Sequence, residues 1–170
     1  MRKEKQFKSL ELRSPRIEDG GAVWQLVKET RSLDLNSPYS YLILCKFFNK
    51  TCVVAEHNGQ IVGFISGFNP PEKPDVLFIW QVAVAESQRK KGLGLRMLKT
   101  LLKRPECKEV QFLELTVNPS NHPAISLYAK LARDMETSYT ISECFSKDMF
   151  PAGNHEPELL YRIGPFFPAV

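Results

Sequence analysis

The chain has 170 residues, 43% of them hydrophobic and 25% charged, with 23 Lys and Arg against 19 Asp and Glu for a formal net charge of +4. The length predicts a single domain over 1–170, and 11 Phe, 5 Tyr and 2 Trp are enough to fill a core of that size. Collagen-like, disordered and coiled-coil chains are excluded, and so small a positive surplus does not by itself point to nucleic acid.

No apolar run approaches the roughly 18–20 residues that span a bilayer, and Met1–Gln6 lacks the apolar stretch of a signal peptide. Cysteines stand at 45, 52, 107 and 144 without a C-x-x-C pair, and histidines only at 57, 122 and 155. That spacing fits neither a zinc site nor a disulfide framework. The expectation is four reduced, mostly buried thiols in a cytoplasmic protein without a metal. Asn49-Lys50-Thr51 matches a glycosylation sequon, read here as a chance match.

Leu10-Glu11-Leu12-Arg13 alternates apolar and polar residues as a short first strand does. From about Glu18 to Leu33 the apolar residues Ala22, Val23, Leu26, Val27 and Leu33 recur at helical spacing, with Glu18 and Asp19 at the start, where anions suit the helix dipole. Ser37-Pro38 reads as an N-cap and first turn opening a second helix to about Phe48. Thr51–Ala55 and Gln60–Phe68 flank Asn58-Gly59, a strong hairpin signal. Asn69–Pro74 is a loop. Val76–Val84 is almost continuously apolar and predicts a central strand buried on both faces. A helix over Gly94–Arg104 with Leu95, Leu98, Leu101 and Leu102 on one face stops at Pro105. Val110–Val117 is the next strand and Pro119–Arg133 the next helix; Met135–Phe145 and Leu159–Ile163 read as edge strands. The order β-α-α-β-β-β-α-β-α-β-β defines an α/β fold on a mixed sheet.

The most informative segment is Val82-Ala83-Val84-Ala85-Glu86-Ser87-Gln88-Arg89-Lys90-Lys91-Gly92-Leu93-Gly94, which joins the buried strand to a helix. Gly92 and Gly94 let backbone N–H groups approach an anion, the helix start adds its positive end, and Arg89, Lys90 and Lys91 add three cations. The physics is that of a pyrophosphate cradle. The spacing is neither a P-loop nor a dinucleotide fingerprint. A solvated basic turn is the other reading of the same residues.

Arg89-x-x-Gly92-x-Gly94 resembles the pyrophosphate motif Q/R-x-x-G-x-G/A of the GCN5-related N-acetyltransferase (GNAT) family. Asn121-His122-Pro123-Ala124-Ile125-Ser126-Leu127-Tyr128 resembles that family's second landmark, an Asn ahead of a helix carrying Tyr, with one strand between the two motifs. By themselves, Asn121 reads equally as a helix cap and Tyr128 as a core aromatic. The resemblance narrows to the diaminobutyrate acetyltransferases of ectoine biosynthesis through Asp34–Tyr41, Trp80–Val84, Leu131-Ala132-Arg133 and His155–Ile163. Two departures stand out: Lys90 occupies a position where the wider family often has Gly, and many members of the narrower family carry Phe at the Tyr128 position.

The resemblance implies a GNAT fold: a mixed, mostly antiparallel sheet of about seven strands flanked by about four helices, with a splay between the fourth and fifth strands. It implies transfer of acetyl from acetyl-CoA to the 4-amino group of L-2,4-diaminobutyrate, no metal, and a homodimer, with Phe166-Phe167-Pro168 as interface residues. In that frame Val82, Ala83 and Val84 pair with the pantetheine arm, and Arg89, Lys90, Lys91, Gly92, Leu93 and Gly94 hold the pyrophosphate. Asn121 fixes the arm and Tyr128 donates a proton to the leaving thiolate.

The acceptor must lose a proton, since at pH 7 only on the order of one primary amine in a thousand is neutral. Asp34 and Glu158 are the candidate carboxylates, with Tyr39 and Trp80 as pocket walls and His155 as a relay or a contact to the substrate carboxylate. Each has a plainer reading: Asp34 as a cap on the Ser37-Pro38 turn, Glu158 as a surface partner of Arg162, Trp80 as core, His155 as an exposed loop residue. Glu114, interrupting an apolar strand, is a further candidate base. Competing functions are acetylation of another small diamine or of a protein amine, and a non-catalytic acyl-CoA-binding or nucleic-acid-binding module. Concentration of the basic residues in one turn speaks against nucleic acid.

Overall fold

Periodicity in the sequence becomes structure in the predicted order: β1 (Glu11–Arg13), α1 (Gly20–Thr30), α2 (Pro38–Phe47), β2 (Val53–His57), β3 (Gln60–Phe68), β4 (Val76–Val84), α3 (Leu93–Leu102), β5 (Phe112–Val117), α4 (His122–Asp134), β6 (Tyr139–Phe145) and β7 (Glu158–Ile163). The computed structural model describes residues 9–166, so Met1–Gln6 and Phe167-Pro168 lie outside the described residues. Among these, the seven strands form one mixed sheet in the order β1-β2-β3-β4-β5-β7-β6. The α/β GNAT fold expected from the sequence is thus present. By packing, the chain divides into two compact units, one holding the chain up to Ser66 with Gln81–Leu101, the other Gly67–Trp80 with the chain from Leu102 onward.

In the first unit, β1 pairs antiparallel with β2, and β2 with β3. The hairpin turns through Asn58 (φ 52°) and Gly59 (φ 80°), the two left-handed residues that a tight turn between twisted strands requires. Val23, Leu26 and Val27 of α1 and Tyr41, Leu44 and Cys45 of α2 pack with Cys52, Val54, Phe64 and Ala83 into one buried cluster. Asp19 stands at the N-cap of α1, at the helix start as expected, but its side chain caps no N–H of that helix. Helix α1 begins after it, and its carboxylate instead takes both ends of the Arg13 guanidinium at 2.7 and 2.9 Å and the Arg16 backbone N–H at 2.6 Å. Arg13 also reaches Glu56, so a half-buried guanidinium joins β1, β2 and the turn before α1. Burial is the largest single influence and opposes ionisation of Asp19, but the hydrogen bonds and charges of Arg13 and Arg16 together outweigh it and hold the carboxyl below its ordinary value.

In the second unit, β4 pairs parallel with β5 only over Val76–Ile79 and Phe112–Leu115, although β5 runs on to Val117. The ladder ends where the expected splay begins. Strand β5 pairs antiparallel with β7, and β7 with β6. Leu159–Ile163 is therefore an interior strand rather than an edge. Of β5, β7 and β6, β6 is the edge strand of the sheet, and its side chains, Tyr139, Ile141 and Phe145 among them, stay open to water.

A second correction concerns β4. Leu77, Ile79, Gln81 and Ala83 are buried, whereas Phe78, Val82 and Val84 are half-buried and Trp80 is 47% exposed. An apolar run reads as two buried faces, but here one face is apolar and open.

The four cysteines are thiols, with Cys45, Cys52 and Cys107 buried and Cys144 half-buried. Burial pushes Cys45 up to about 12 and Cys107 up to about 11 from an ordinary 9.0. A raised folded pKa leaves stability constant below the unfolded value and removes it as pH rises towards the folded one. The urea midpoint should therefore fall between about pH 9 and pH 11. A midpoint that stays flat across that window would show these thiols are not shielded.

Candidate active site

The basic loop after β4 begins with a short 3-10 turn over Glu86–Gln88 and then passes through Lys90 (φ 60°) and Gly92 (φ 73°), both left-handed. Lys90 pays the steric cost that the Gly common at that position in the wider family avoids. A Cβ placed on Gly92 would meet nothing within 4 Å. The space beside Gly92 is open, as a backbone aimed at a ligand requires. Helix α3 starts at Leu93, where first-turn N–H groups have no helical acceptor. The cations are not all poised outward: Arg89 donates to the carbonyls of Val84 (3.3 Å) and Thr30 (3.4 Å), and Lys91 to Ser87 (2.8 Å). Arg89 thereby clasps the ends of α1 and β4 from the loop.

Asp34 is exposed, in the segment between α1 and α2. Its backbone carbonyl accepts from Gln81 Nε2 at 2.7 Å, and Gln81 Oε1 accepts from the Tyr41 hydroxyl at 3.1 Å. Ser37 sits at the N-cap of α2 as predicted, but its hydroxyl lies against that of Ser40 rather than capping a backbone N–H. Tyr39 is 69% exposed.

In the second unit Trp80, Glu114, Thr116, Leu160 and Arg162 follow the alternation of β4, β5 and β7 onto one sheet face. Trp80 is not core. Glu114 is buried, bonded to Arg162 and held by Lys73 at 3.4 Å from both carboxylate oxygens. Arg162 also lies over the Phe112 ring at 3.7 Å. Arg162 is thus spent on Glu114, which removes the Glu158–Arg162 pairing. Glu158 instead stands 3.9 Å from His155 Nε2. His155 stacks on Phe150 at 3.9 Å and sets Nδ1 against the Glu156 carbonyl at 2.6 Å, so it is an oriented ring and not a loose loop residue. Glu156 accepts from Ser120.

Asn121 caps α4 by accepting from the Ala124 N–H at 3.3 Å, so the cap reading holds for its oxygen, while its NH₂ end supplies donors. Tyr128 is 5% exposed, and burial raises its hydroxyl well above the ordinary phenol value. It is a donor at any working pH. The residues that sequence reasoning missed are Gln81 and Tyr41 as a bonded pair; the available signal was a glutamine inside an apolar strand. Among the described residues no cluster of His, Cys, Asp or Glu is arranged to hold a metal, and no helix is long and apolar enough to cross a membrane.

A strand that ends its parallel ladder early leads through a glycine-bearing basic turn into a helix start, the order of elements that the GNAT resemblance calls for. The model of the acetyltransferase (GNAT) family matches residues 21–132, and the chain belongs to that family, whose N-acetyltransferases draw on acetyl-CoA. It is similar to the L-2,4-diaminobutyric acid acetyltransferase of Marinococcus halophilus, 53% identical over 89% of this chain and 88% of that protein. The enzyme of the same name from Oceanobacillus iheyensis is 54% identical over 90% of this chain and 87% of its own length. Among solved structures it is similar to diaminobutyrate acetyltransferase EctA from Paenibacillus lautus in complex with its substrate L-2,4-diaminobutyric acid and coenzyme A. That likeness has 45% identity and a TM-score of 0.91, over 95% of this chain and 98% of that one.

Because a Cβ at Gly92 touches nothing in the protein, Gly92→Ala should cost only backbone strain of about 1 kcal/mol. Acetyl-CoA affinity, measured by calorimetry, should nevertheless fall by at least about ten-fold as the ligand loses its close approach. Unchanged affinity in the folded variant would remove the loop from the cofactor site.

Proposed function

We propose that this enzyme transfers acetyl from acetyl-CoA to the 4-amino group of L-2,4-diaminobutyrate, giving N4-acetyl-L-2,4-diaminobutyrate as in ectoine biosynthesis. The observation that carries the reading is the likeness, along nearly the whole chain, to an acetyltransferase solved with L-2,4-diaminobutyric acid and coenzyme A. The Asp34–Tyr41 and His155–Ile163 stretches, which no generic acetyltransferase motif demands, are the parts of this sequence that resemble diaminobutyrate acetyltransferases in particular.

The chemistry follows from the residues. The exposed backbone edge of Val82, Ala83 and Val84 pairs with the pantetheine arm as an added strand would. Arg89, Lys90, Lys91, Gly92, Leu93 and Gly94 present N–H groups and positive charge to the pyrophosphate. Asn121 binds the arm through its amide donors. Asp34 and Glu158 supply negative charge for the acceptor ammonium, Tyr39 and Trp80 exclude water, and His155, oriented by Phe150 and beside Glu158, binds or relays at the same acceptor.

One carboxylate takes a proton from the 4-ammonium. The freed nitrogen attacks the thioester carbon, a C–N bond forms, and the oxygen takes the negative charge against a backbone N–H. Collapse breaks the C–S bond as the nitrogen gives up its second proton; Tyr128, kept protonated by burial, donates to the thiolate and is reprotonated in turn, so one proton is released per turnover. A thiol of pKa roughly 8–9 leaves readily, so this acid adds modestly.

Three variants test the scheme in one steady-state assay. Asp34→Asn and Glu158→Gln should each lower kcat/KM for L-2,4-diaminobutyrate by about 10²-fold or more with acetyl-CoA binding intact, as for a lost charge-assisted contact. The variant lacking the base should recover as pH rises and more amine is neutral. Tyr128→Phe should lower kcat by at most roughly 10²-fold. Near-normal kinetics in both carboxylate variants would sink the acceptor assignment.

A further inference from the structure

Strand β4 buries a glutamine, 5% exposed, at a position where Leu77, Ile79 and Ala83 set an apolar pattern. A buried amide costs free energy unless every polar end is bonded, so its presence calls for a reason. The bonds give one. The Asp34 carbonyl can only accept, so Nε2 must face it, at 2.7 Å. Oε1 then faces the hydroxyl of the fully buried Tyr41, which must donate, at 3.1 Å. The Tyr41 oxygen keeps a lone pair for the Asn36 N–H, at 3.5 Å. The Gln81 backbone N–H is taken by the buried Ser66 hydroxyl at 3.1 Å, which fixes the strand end of the chain of bonds. Each member has one allowed direction, so the whole relay has one orientation.

What the relay holds is the segment 34–36, which belongs to no helix or strand and therefore has no ladder of its own. Two of its backbone groups, the Asp34 carbonyl and the Asn36 N–H, are tied to side chains rooted in β4 and α2. We propose that Gln81, with Tyr41 behind it, is a positioning residue for Asp34: it pins the backbone from which that carboxylate projects and so sets its register for the acceptor ammonium. This rests on the reading of Asp34 as an acceptor-side carboxylate. Misplacing such a group by about 1 Å is enough to cost up to about 10²-fold in rate.

Gln81→Met keeps the volume and removes both bonds; Tyr41→Phe removes only the hydroxyl. Gln81→Met should raise KM for L-2,4-diaminobutyrate about ten-fold while KM for acetyl-CoA stays within about two-fold. Tyr41→Phe should move it the same way by less, since Gln81 still reaches Asp34. In the Asp34→Asn background both changes should add less than about two-fold, because the group they position has already lost its charge. If Gln81→Met fails to fold, Tyr41→Phe in the two backgrounds decides the matter alone. Equal factors in both backgrounds, an unchanged acceptor KM, or a parallel rise in KM for acetyl-CoA would overturn the positioning role. A wild type that acetylates L-2,4-diaminobutyrate while Asp34→Asn behaves normally would overturn it and leave the activity standing; an inactive wild type would overturn the functional reading along with it.

Discussion

Side chains alternate across strand β4, and the two faces have opposite tasks. Leu77, Ile79, Gln81 and Ala83 are buried, so this face holds the strand to the rest of the fold. Phe78, Trp80, Val82 and Val84 remain half-buried or exposed although all four are apolar. Apolar surface left open in a defined row is what a ligand-contacting strand presents before its ligand arrives. The parallel ladder to β5 covers only the first four residues of β4, so the C-terminal part keeps backbone groups for another partner. The basic loop and the start of α3 follow directly from that end of the strand.

Charge is arranged in keeping with that plan. Arg13, Asp19 and Glu56 form a half-buried network inside the first unit, and Glu114, Arg162 and Lys73 form another in the second. In both, the carboxylates are committed to cations. Asp34 is exposed, with its backbone carbonyl bonded to Gln81, and Glu158 stands near an oriented imidazole. A carboxylate already bonded to a guanidinium is a poor base, since abstracting a proton would break its pairing. Glu114, bonded to Arg162 and Lys73, is therefore a poor base for an amine.

The sequence carried the element order completely because each element has its own local signal: helical spacing in α1 and α3, Asn58-Gly59 for the hairpin, a Pro at the start of α2 and α4. The loop motif and the Asn121 cap were legible for the same reason. Exposure of Trp80 was not, because an apolar residue reads identically whether protein or ligand covers it. The interior place of β7 was not legible either. Strand order depends on long-range pairing, here β5 to β7 across the α4 and β6 segments, and short alternating runs say nothing of their neighbours. Nor was the Gln81–Tyr41–Asp34 relay, whose members are separated by 40 and 47 residues.

The central claim is regiospecific acetylation of a small diamine, and product structure tests it most directly. Purified protein incubated with acetyl-CoA and L-2,4-diaminobutyrate should give one product, whose proton–carbon correlations in NMR place the acetyl group on N4. Acetyl on the 2-amino nitrogen, a mixture of the two, or no acetylated diaminobutyrate at all would contradict the account.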